Sequence, residues 1–316
     1  MLLVISFVVF MLLGLPLFGV IGLASIISMI GMPFPMEFIP QNLYTGMDQF
    51  PLIATIGFVM AGFLMEPAGI TGEIIEVAKK AVGNIRGGLA MVTILACMIF
   101  AALSGSGPAT TAAIGSIMIP GMITAGYRKD DAAAVSATGG TLGILIPPSN
   151  PMIIYGIIAN TSIAALFTAG FVPGFVLGLM MMLMAYFLAR RAGFTGTVDE
   201  DKGAHFWPMF RKNFFSLMAP VIILGSIYAG ICTPVEASVV AVFYALFVGT
   251  CITRELKIIQ LWDAIKLTNV SAGSIIIVLG VSTLFGRILT MQRIPHQLAN
   301  RSEERRVGKE CRSRWS

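Results

Sequence analysis

Two short stretches combine residue types that suit ion and solute chemistry. The first, Leu103-Ser-Gly-Ser-Gly-Pro-Ala-Thr-Thr111, sets hydroxyls among glycines and a proline, between apolar limbs at 87–104 and 107–125. Glycine and proline interrupt continuous helix, and unwound backbone at membrane depth is tolerated only where protein buries it or a cavity meets it. A re-entrant hairpin over 87–125, with its tip near the midplane, satisfies both conditions. At such a tip the Ser104 and Ser106 hydroxyls and freed carbonyls suit a hard cation. Pro108 opens a limb whose dipole-positive start suits an anion.

The second stretch is Thr138-Gly-Gly-Thr-Leu-Gly-Ile-Leu-Ile-Pro-Pro-Ser-Asn-Pro151. Pro147, Pro148 and Pro151 remove three amide donors, and Gly139, Gly140 and Gly143 lower helix propensity just before them. The apolar stretch 131–160 is therefore expected to be a broken helix. A broken span beside a re-entrant tip is how secondary transporters assemble ion and substrate sites from half-helix ends. The plainer alternative is that the glycines serve close helix packing and the prolines only kink. Two hydroxyl-bearing motifs so close in the chain favour the site.

The elements that position these motifs are membrane helices. Of 316 residues 12% are charged and 56% hydrophobic, and the mean hydropathy of +0.87 exceeds what a soluble domain covers with polar surface. Apolar runs fall at 1–31, 51–66, 87–104, 107–125, 131–160, 164–189, 214–231, 234–252 and 269–291. Runs of this kind match the roughly 20 residues that cross a hydrocarbon core as helix, without the every-second-residue alternation of a barrel. The first run carries Gly14 and Pro16 and is expected to be tilted, broken or two short helices. Two amphipathic stretches, Gly72 to Val82 and Arg254 to Leu267, suit helices lying in the interface plane.

Basic residues fall on one side. The connectors with Lys79, Lys80 and Arg86, with Arg128 and Lys129, with Arg190, Arg191, Lys202, Arg211 and Lys212, and with Arg254, Lys257 and Lys266 hold 13 Lys and Arg, and the connectors 32–50, 159–165 and 232–233 hold none. That pattern obeys the positive-inside bias if 87–125 enters and leaves on one face.

Elsewhere the chain is sparing with reactive groups. Four scattered cysteines and two histidines argue against a disulfide framework or a zinc site. Glu236, after Thr233-Pro234, reads as a helix cap, with a functional contact as the alternative; Arg287 lies in the last apolar run, where a charge snorkels or pairs. His205 reads as a surface residue, and Met180, Met181, Met182 and Met184 as packing or lipid-facing ones. No Walker loop, Gly-x-Ser-x-Gly elbow or His-Glu-x-x-His is present, so the chain reads as a non-enzyme driven by an ion gradient or a partner. An intramembrane lipid-modifying enzyme would need paired acid, base or metal ligands within the spans. Residues 1–31 lack a basic n-region and cleavage site and read as a retained membrane segment. Residues 301–316 (RSEERRVGKECRSRWS) hold six basic and three acidic residues. They look like a translated sequencing-adapter artefact, with the natural frame cut near Asn300.

At Gly57-Phe-Val-Met-Ala-Gly-Phe-Leu-Met65, Phe100 to Thr111, Gly139 to Ser149, Ala169-Gly-Phe-Val-Pro-Gly174 and Gly230-Ile-Cys-Thr-Pro-Val-Glu-Ala-Ser238, the sequence resembles the large membrane subunit of TRAP (tripartite ATP-independent periplasmic) transporters. The resemblance implies an all-α polytopic inner-membrane protein of the ion transporter superfamily, with an elevator mechanism and inverted repeats. It implies a first repeat at 1–192, holding scaffold helices, an arm helix, the hairpin and the broken helix, a cytoplasmic connecting loop at 193–213, and an incomplete second repeat at 214–300. Weak internal likeness agrees: Gly14-Leu-Pro16, its helix, a polar connector and a further span parallel Gly230 to Pro234, its helix, the Arg254 to Leu267 stretch and the span 269–291.

Carried over residue by residue, the resemblance implies a sodium site at Ser104, Gly105, Ser106, Gly140, Thr141, Gly143, Pro147 and Ser149. It implies a substrate cavity lined by Ser106, Pro108, Thr110, Pro148 and Asn150. No cofactor is expected beyond Na⁺ as the coupling ion. The implied partners are a small four-helix membrane subunit, a periplasmic substrate-binding protein, membrane lipid and an organic-acid substrate such as a C4-dicarboxylate or sialic acid, with no nucleic acid. A self-sufficient dicarboxylate or citrate symporter is the alternative within the same class.

Overall fold

The computed structural model describes residues 2–30, 35, 37–85, 87–192 and 206–294. The readings placed on Arg86, Lys202, His205 and 301–316, most of the expected connecting loop, and the end of the second repeat all lie outside these residues. Among the described residues every regular element is helical.

The first apolar run breaks into α1 (Leu2–Leu12) and α2 (Leu17–Met29). Gly14 adopts φ +74° and Pro16 caps α2, so neither position continues the preceding helix. Then follow α3 (Phe38–Met47), α4 (Leu52–Met65), α5 (Ile70–Val82), α6 (Gly88–Ser104), α7 (Gly107–Thr124) and α8 (Lys129–Gly140). Helix α8 passes into a 3₁₀ turn, Thr141–Ile144, before α9 (Asn150–Ala159) and the long α10 (Ile163–Ala192). The chain continues through α11 (Phe206–Lys212), α12 (Phe214–Tyr228), α13 (Pro234–Phe247) with a π turn at Val248–Ile252, and α14 (Ile258–Met291). By length and composition α10, α13 with its π turn, and α14 are able to cross a membrane.

One expectation changes. The stretch Arg254 to Leu267 does not form an interfacial helix separate from the span 269–291; from Ile258 onward it is the start of one 34-residue helix. Between Ile258 and Ala272 there is neither glycine nor proline, so nothing stops helix propagation although the composition turns from charged to apolar.

The fold forms two compact units, Met1–Gln49 with Gly273–Ser316, and Phe50–Ala272. In the first, Leu3, Leu284 and Ile288 are buried together, with Phe38, Ile39 and Leu43 of α3 against them. The second is built around Phe58, Phe100, Leu103, Ile114, Met118 and Phe167.

Helix α5 is amphipathic as expected, burying Ile70, Ile74, Ile75 and Ala78. Its polar face does not simply meet solvent or headgroups. Ser216 of α12 donates to the Glu73 carboxylate, and the Asn213 amide donates to Glu76 Oε2 at 3.3 Å and to the Glu73 carbonyl at 3.4 Å. Lys212 adds an exposed ion pair to Glu76 at 3.8 Å. Helix α13 begins with a complete capping box, the Thr233 and Glu236 side chains each bonding the other's backbone amide. Glu236 thus caps its helix, as its position after Thr233-Pro234 suggests.

Candidate functional site

Helices α6 and α7 form a tight pair joined only by Gly105 and Ser106. Gly105 ends α6 in the left-handed conformation, φ +60°, with its N–H donating to the Ala101 carbonyl at 3.1 Å. Glycine takes that conformation without the Cβ penalty of other residues. Ser106 then caps α7, its Oγ accepting from the Ala109 N–H at 3.4 Å, and Pro108 occupies the first turn, where a missing amide costs nothing.

Buried hydroxyls fill the inside of this turn. Thr110 Oγ1 donates to the Ser106 carbonyl at 2.8 Å and stands 2.9 Å from Ser104 Oγ, so Ser104 is left as donor to Thr110. Both side chains are fully buried. Gly62 of α4 allows this: a Cβ there would lie 3.0 Å from Ser104 Cβ.

The broken helix meets α7 along a seam of glycines. A Cβ on Gly143 would stand 2.6 Å from the Ser106 carbonyl oxygen and 2.8 Å from Thr110 Oγ1, and one on Gly140 would strike the Thr111 hydroxyl. From the other side, a Cβ on Gly107 would lie 3.2 Å from the Gly140 carbonyl oxygen. Backbone carbonyls of residues 106, 107 and 140 therefore crowd the same space as the Ser104, Thr110 and Thr111 hydroxyls.

Beyond the seam the backbone unwinds through Leu145 to Pro148, with a cis Pro147–Pro148 bond, and Ser149 takes the extended conformation that starts α9. The Ser149 hydroxyl spans the break, donating to the Ile144 carbonyl at 2.6 Å. One backbone hydrogen bond ties the two breaks together, from the Asn150 N–H to the Gly105 carbonyl at 3.0 Å. Gly105 again leaves the room, since a Cβ would press on the Pro148 carbonyl. Asn150 is buried, and its Oδ1 has no donor.

Ser104, Gly105, Ser106, Thr110, Gly140, Gly143, Pro148, Ser149 and Asn150 are thus brought to one junction. Pro147 is buried beside it. Thr141 and Pro108 are exposed, and the Thr141 hydroxyl donates back to the Thr138 carbonyl at 2.7 Å rather than into the seam. Gly107 belongs to the first motif and Gly62 to the stretch 57–65 that carries the family resemblance, but their part in letting these segments approach each other shows only in the fold. The same holds for Gly170 and Gly174 of the stretch 169–174, which with Gly178 form a stripe on α10 whose four-residue spacing is a packing signal.

The junction's residues are uncharged. Its electrostatics come from four helix ends: α6 and the α8 segment finish there and supply carbonyls, while α7 and α9 begin there and point their positive ends inward. Hard oxygen donors and two helix N-termini together suit a small alkali cation and an oxoanion.

Over residues 4–304 the chain matches the model of the family described as "Tripartite ATP-independent periplasmic transporter, DctM component". The chain belongs to that family. It is 38% identical over 294 residues to the "Isethionate TRAP transporter permease protein DctMQ" of Oleidesulfovibrio alaskensis, which covers 93% of this chain and 46% of the relative. It is 37% identical over 266 residues to the "Sialic acid TRAP transporter large permease protein SiaM" of Vibrio cholerae, 84% of this chain and 62% of the relative. It is 34% identical over 271 residues to the "2,3-diketo-L-gulonate TRAP transporter large permease protein YiaN" of Escherichia coli, 84% and 63% respectively. The chain spans about half to two thirds of the length of these relatives. With its long apolar helices, family membership makes it an all-α multi-pass membrane protein of the TRAP large-subunit type, not an enzyme.

Proposed function

We propose that this chain provides the first half of a sodium-coupled uptake site for an organic-acid anion. The observation that carries the reading is the Gly105–Asn150 bond, which holds two unwound segments together around uncharged oxygen donors. Na⁺ is the coupling cargo, taken by carbonyls and hydroxyls of the hairpin tip and the seam, from Ser104 and Ser106 to Gly140, Gly143 and Ser149. The anion's acid group is taken by the starts of α7 and α9, near Ser106, Pro108, Thr110 and Asn150. Relatives named for isethionate, sialic acid and 2,3-diketo-L-gulonate support an organic acid as the substrate class.

The protein works in the inner membrane with a small four-helix membrane subunit and a periplasmic binding protein that delivers the solute. Transport proceeds by an elevator movement of the part holding the hairpin and broken helix. Reciprocal packing supports the inverted repeats. Within one unit, Gly22 of α2 rests on Val281 of α14; within the other, Gly57 of α4 rests on Ser238 of α13. Helices α2 and α13 each follow a Gly-x-Pro or Thr-Pro turn, and each packs on the span of the opposite repeat.

Sodium binding is tested on the purified chain in detergent by comparing thermal unfolding in NaCl and in equimolar KCl. Sodium raises Tm selectively, by mass action on the native state, and Ser104→Ala with Thr110→Val abolishes the difference. Equal Tm values in the two salts refute the sodium site. Sodium-stimulated uptake of an organic acid into proteoliposomes, with the partner subunits present, tests the transport reading.

A further inference from the structure

Helix α10 approaches the break through glycines four residues apart. A Cβ on Gly170 would stand 3.1 Å from the Leu145 carbonyl oxygen, one on Gly174 2.8 Å from Ile146 Cγ1, and one on Gly178 2.7 Å from Met98 Cε. Beside this stripe a gap remains between α10 and α6. Phe171 and Phe175, 43% and 49% exposed, form one wall of a cavity of about 160 Å³ whose other wall includes Leu95, Met98, Ala102 and Ile146. Because Phe171 and Phe175 are themselves half exposed, the cavity is continuous with the outer face of α10, where Val172 and Val176 are also exposed.

The lining decides the occupant. Only apolar atoms line the cavity, so water, which needs two to four polar partners, gains nothing there, and neither does an anionic solute. An apolar cavity of about 150 Å³ stays dry and takes up benzene, a six-carbon volume. Helix α10 is long and apolar enough to cross a membrane, and its exposed apolar outer face suits hydrocarbon as the neighbouring medium. We propose that this groove binds the acyl chain of a phospholipid, with about six carbons inserted between α10 and α6 and ending at Ile146. Ile146 donates its N–H to the Leu142 carbonyl at 2.8 Å, at the end of the 3₁₀ turn that carries Gly143. The lipid tail therefore ends where the break begins, and it fills a flank that α10 leaves open.

The test uses the full chain in detergent with Trp207, Trp262 and Trp315 replaced by Phe and a single reporter, Ile99→Trp, in the cavity wall. Phosphatidylethanolamine with brominated acyl chains is titrated in, and a second reporter, Val172→Trp, follows the freely exposed face. Quenching of the cavity reporter saturates at a few lipids per protein, while that of the surface reporter rises steadily with lipid. Ala102→Leu, which fills the groove, weakens the saturable phase about tenfold, the equivalent of roughly two buried methylenes. Should Ala102→Leu fail to fold, Phe175→Ala tests the same wall and shifts the saturable phase without touching the break. Parallel quenching at both reporters, no quenching at position 99, or a saturable phase indifferent to both variants overturns the proposal. No quenching at position 99 points to a groove that takes no lipid, and a saturable phase indifferent to both variants to lipid held elsewhere on the chain.

Discussion

The Asn150 N–H reaches 3.0 Å from the Gly105 carbonyl, and this backbone hydrogen bond joins the turn between α6 and α7 to the start of α9. It depends on the absence of a side chain at 105, where φ is +60° and a Cβ would press on the Pro148 carbonyl. Gly105→Ala is expected to lower stability by more than the roughly 1–2 kcal/mol of a left-handed residue, because the steric contact adds to it. Thermal unfolding in detergent measures this. Gly72→Ala, in open space on α5, is the control and gains about 0.5–1 kcal/mol.

Gly143→Ala brings a methyl group against the Ser106 carbonyl and Thr110 Oγ1, whereas Gly121→Ala in α7 meets nothing. Gly143→Ala is expected to erase any sodium-dependent rise in Tm, and Gly121→Ala to preserve it. Equal sodium responses in the two variants would remove the seam from the cation site.

Ser104 and Thr110 hold each other's hydroxyls in a fully buried pair. Thr110→Val strands the Ser104 hydroxyl and costs about 1–3 kcal/mol, and Thr110→Ser restores most of it. A double-mutant cycle with Ser104→Ala is expected to give a coupling of about 0.5–3 kcal/mol, read from denaturant or thermal midpoints.

The polar contacts of α5 rank by burial. Ser216 is fully buried and donates to the Glu73 carboxylate, so Ser216→Ala is expected to cost about 1.5–3 kcal/mol, as for a hydrogen bond to a charged group. Lys212 and Glu76 pair at the surface with side chains 69% and 47% exposed, and Lys212→Ala is expected to change stability by about 0–1 kcal/mol. Thermal unfolding of the two variants side by side measures the contrast.

Both breaks were legible because proline and clustered glycine act locally, through a missing amide or a low propensity, and need no tertiary information. The direction of the hydroxyls was not. Thr138 and Thr141 share one helical face and Gly139, Gly140 and Gly143 the other; the close approach of α7 selects the glycine face, leaving both threonines outside. That choice depends on a neighbour 30 or so residues earlier, and no period in the local sequence encodes it. The start of α14 misled for a related reason: the charged stretch to Leu267 resembles an interfacial helix, but composition does not end a helix when no glycine or proline intervenes. The packing roles of Gly62 and of the α10 glycines depend on the segments they face, which composition and spacing do not give.

The hydroxyls of Ser104, Thr110 and Ser149 are already spent on acceptors of their own chain, on Thr110 Oγ1, the Ser106 carbonyl and the Ile144 carbonyl. Each donation uses a proton and leaves lone pairs on the hydroxyl oxygen, and Asn150 Oδ1 has no donor, so the bonds that shape the junction do not use up the oxygens that the proposed cation would ligate. The geometry of the junction is thus set by the chain's own hydrogen bonds, independently of any ligand.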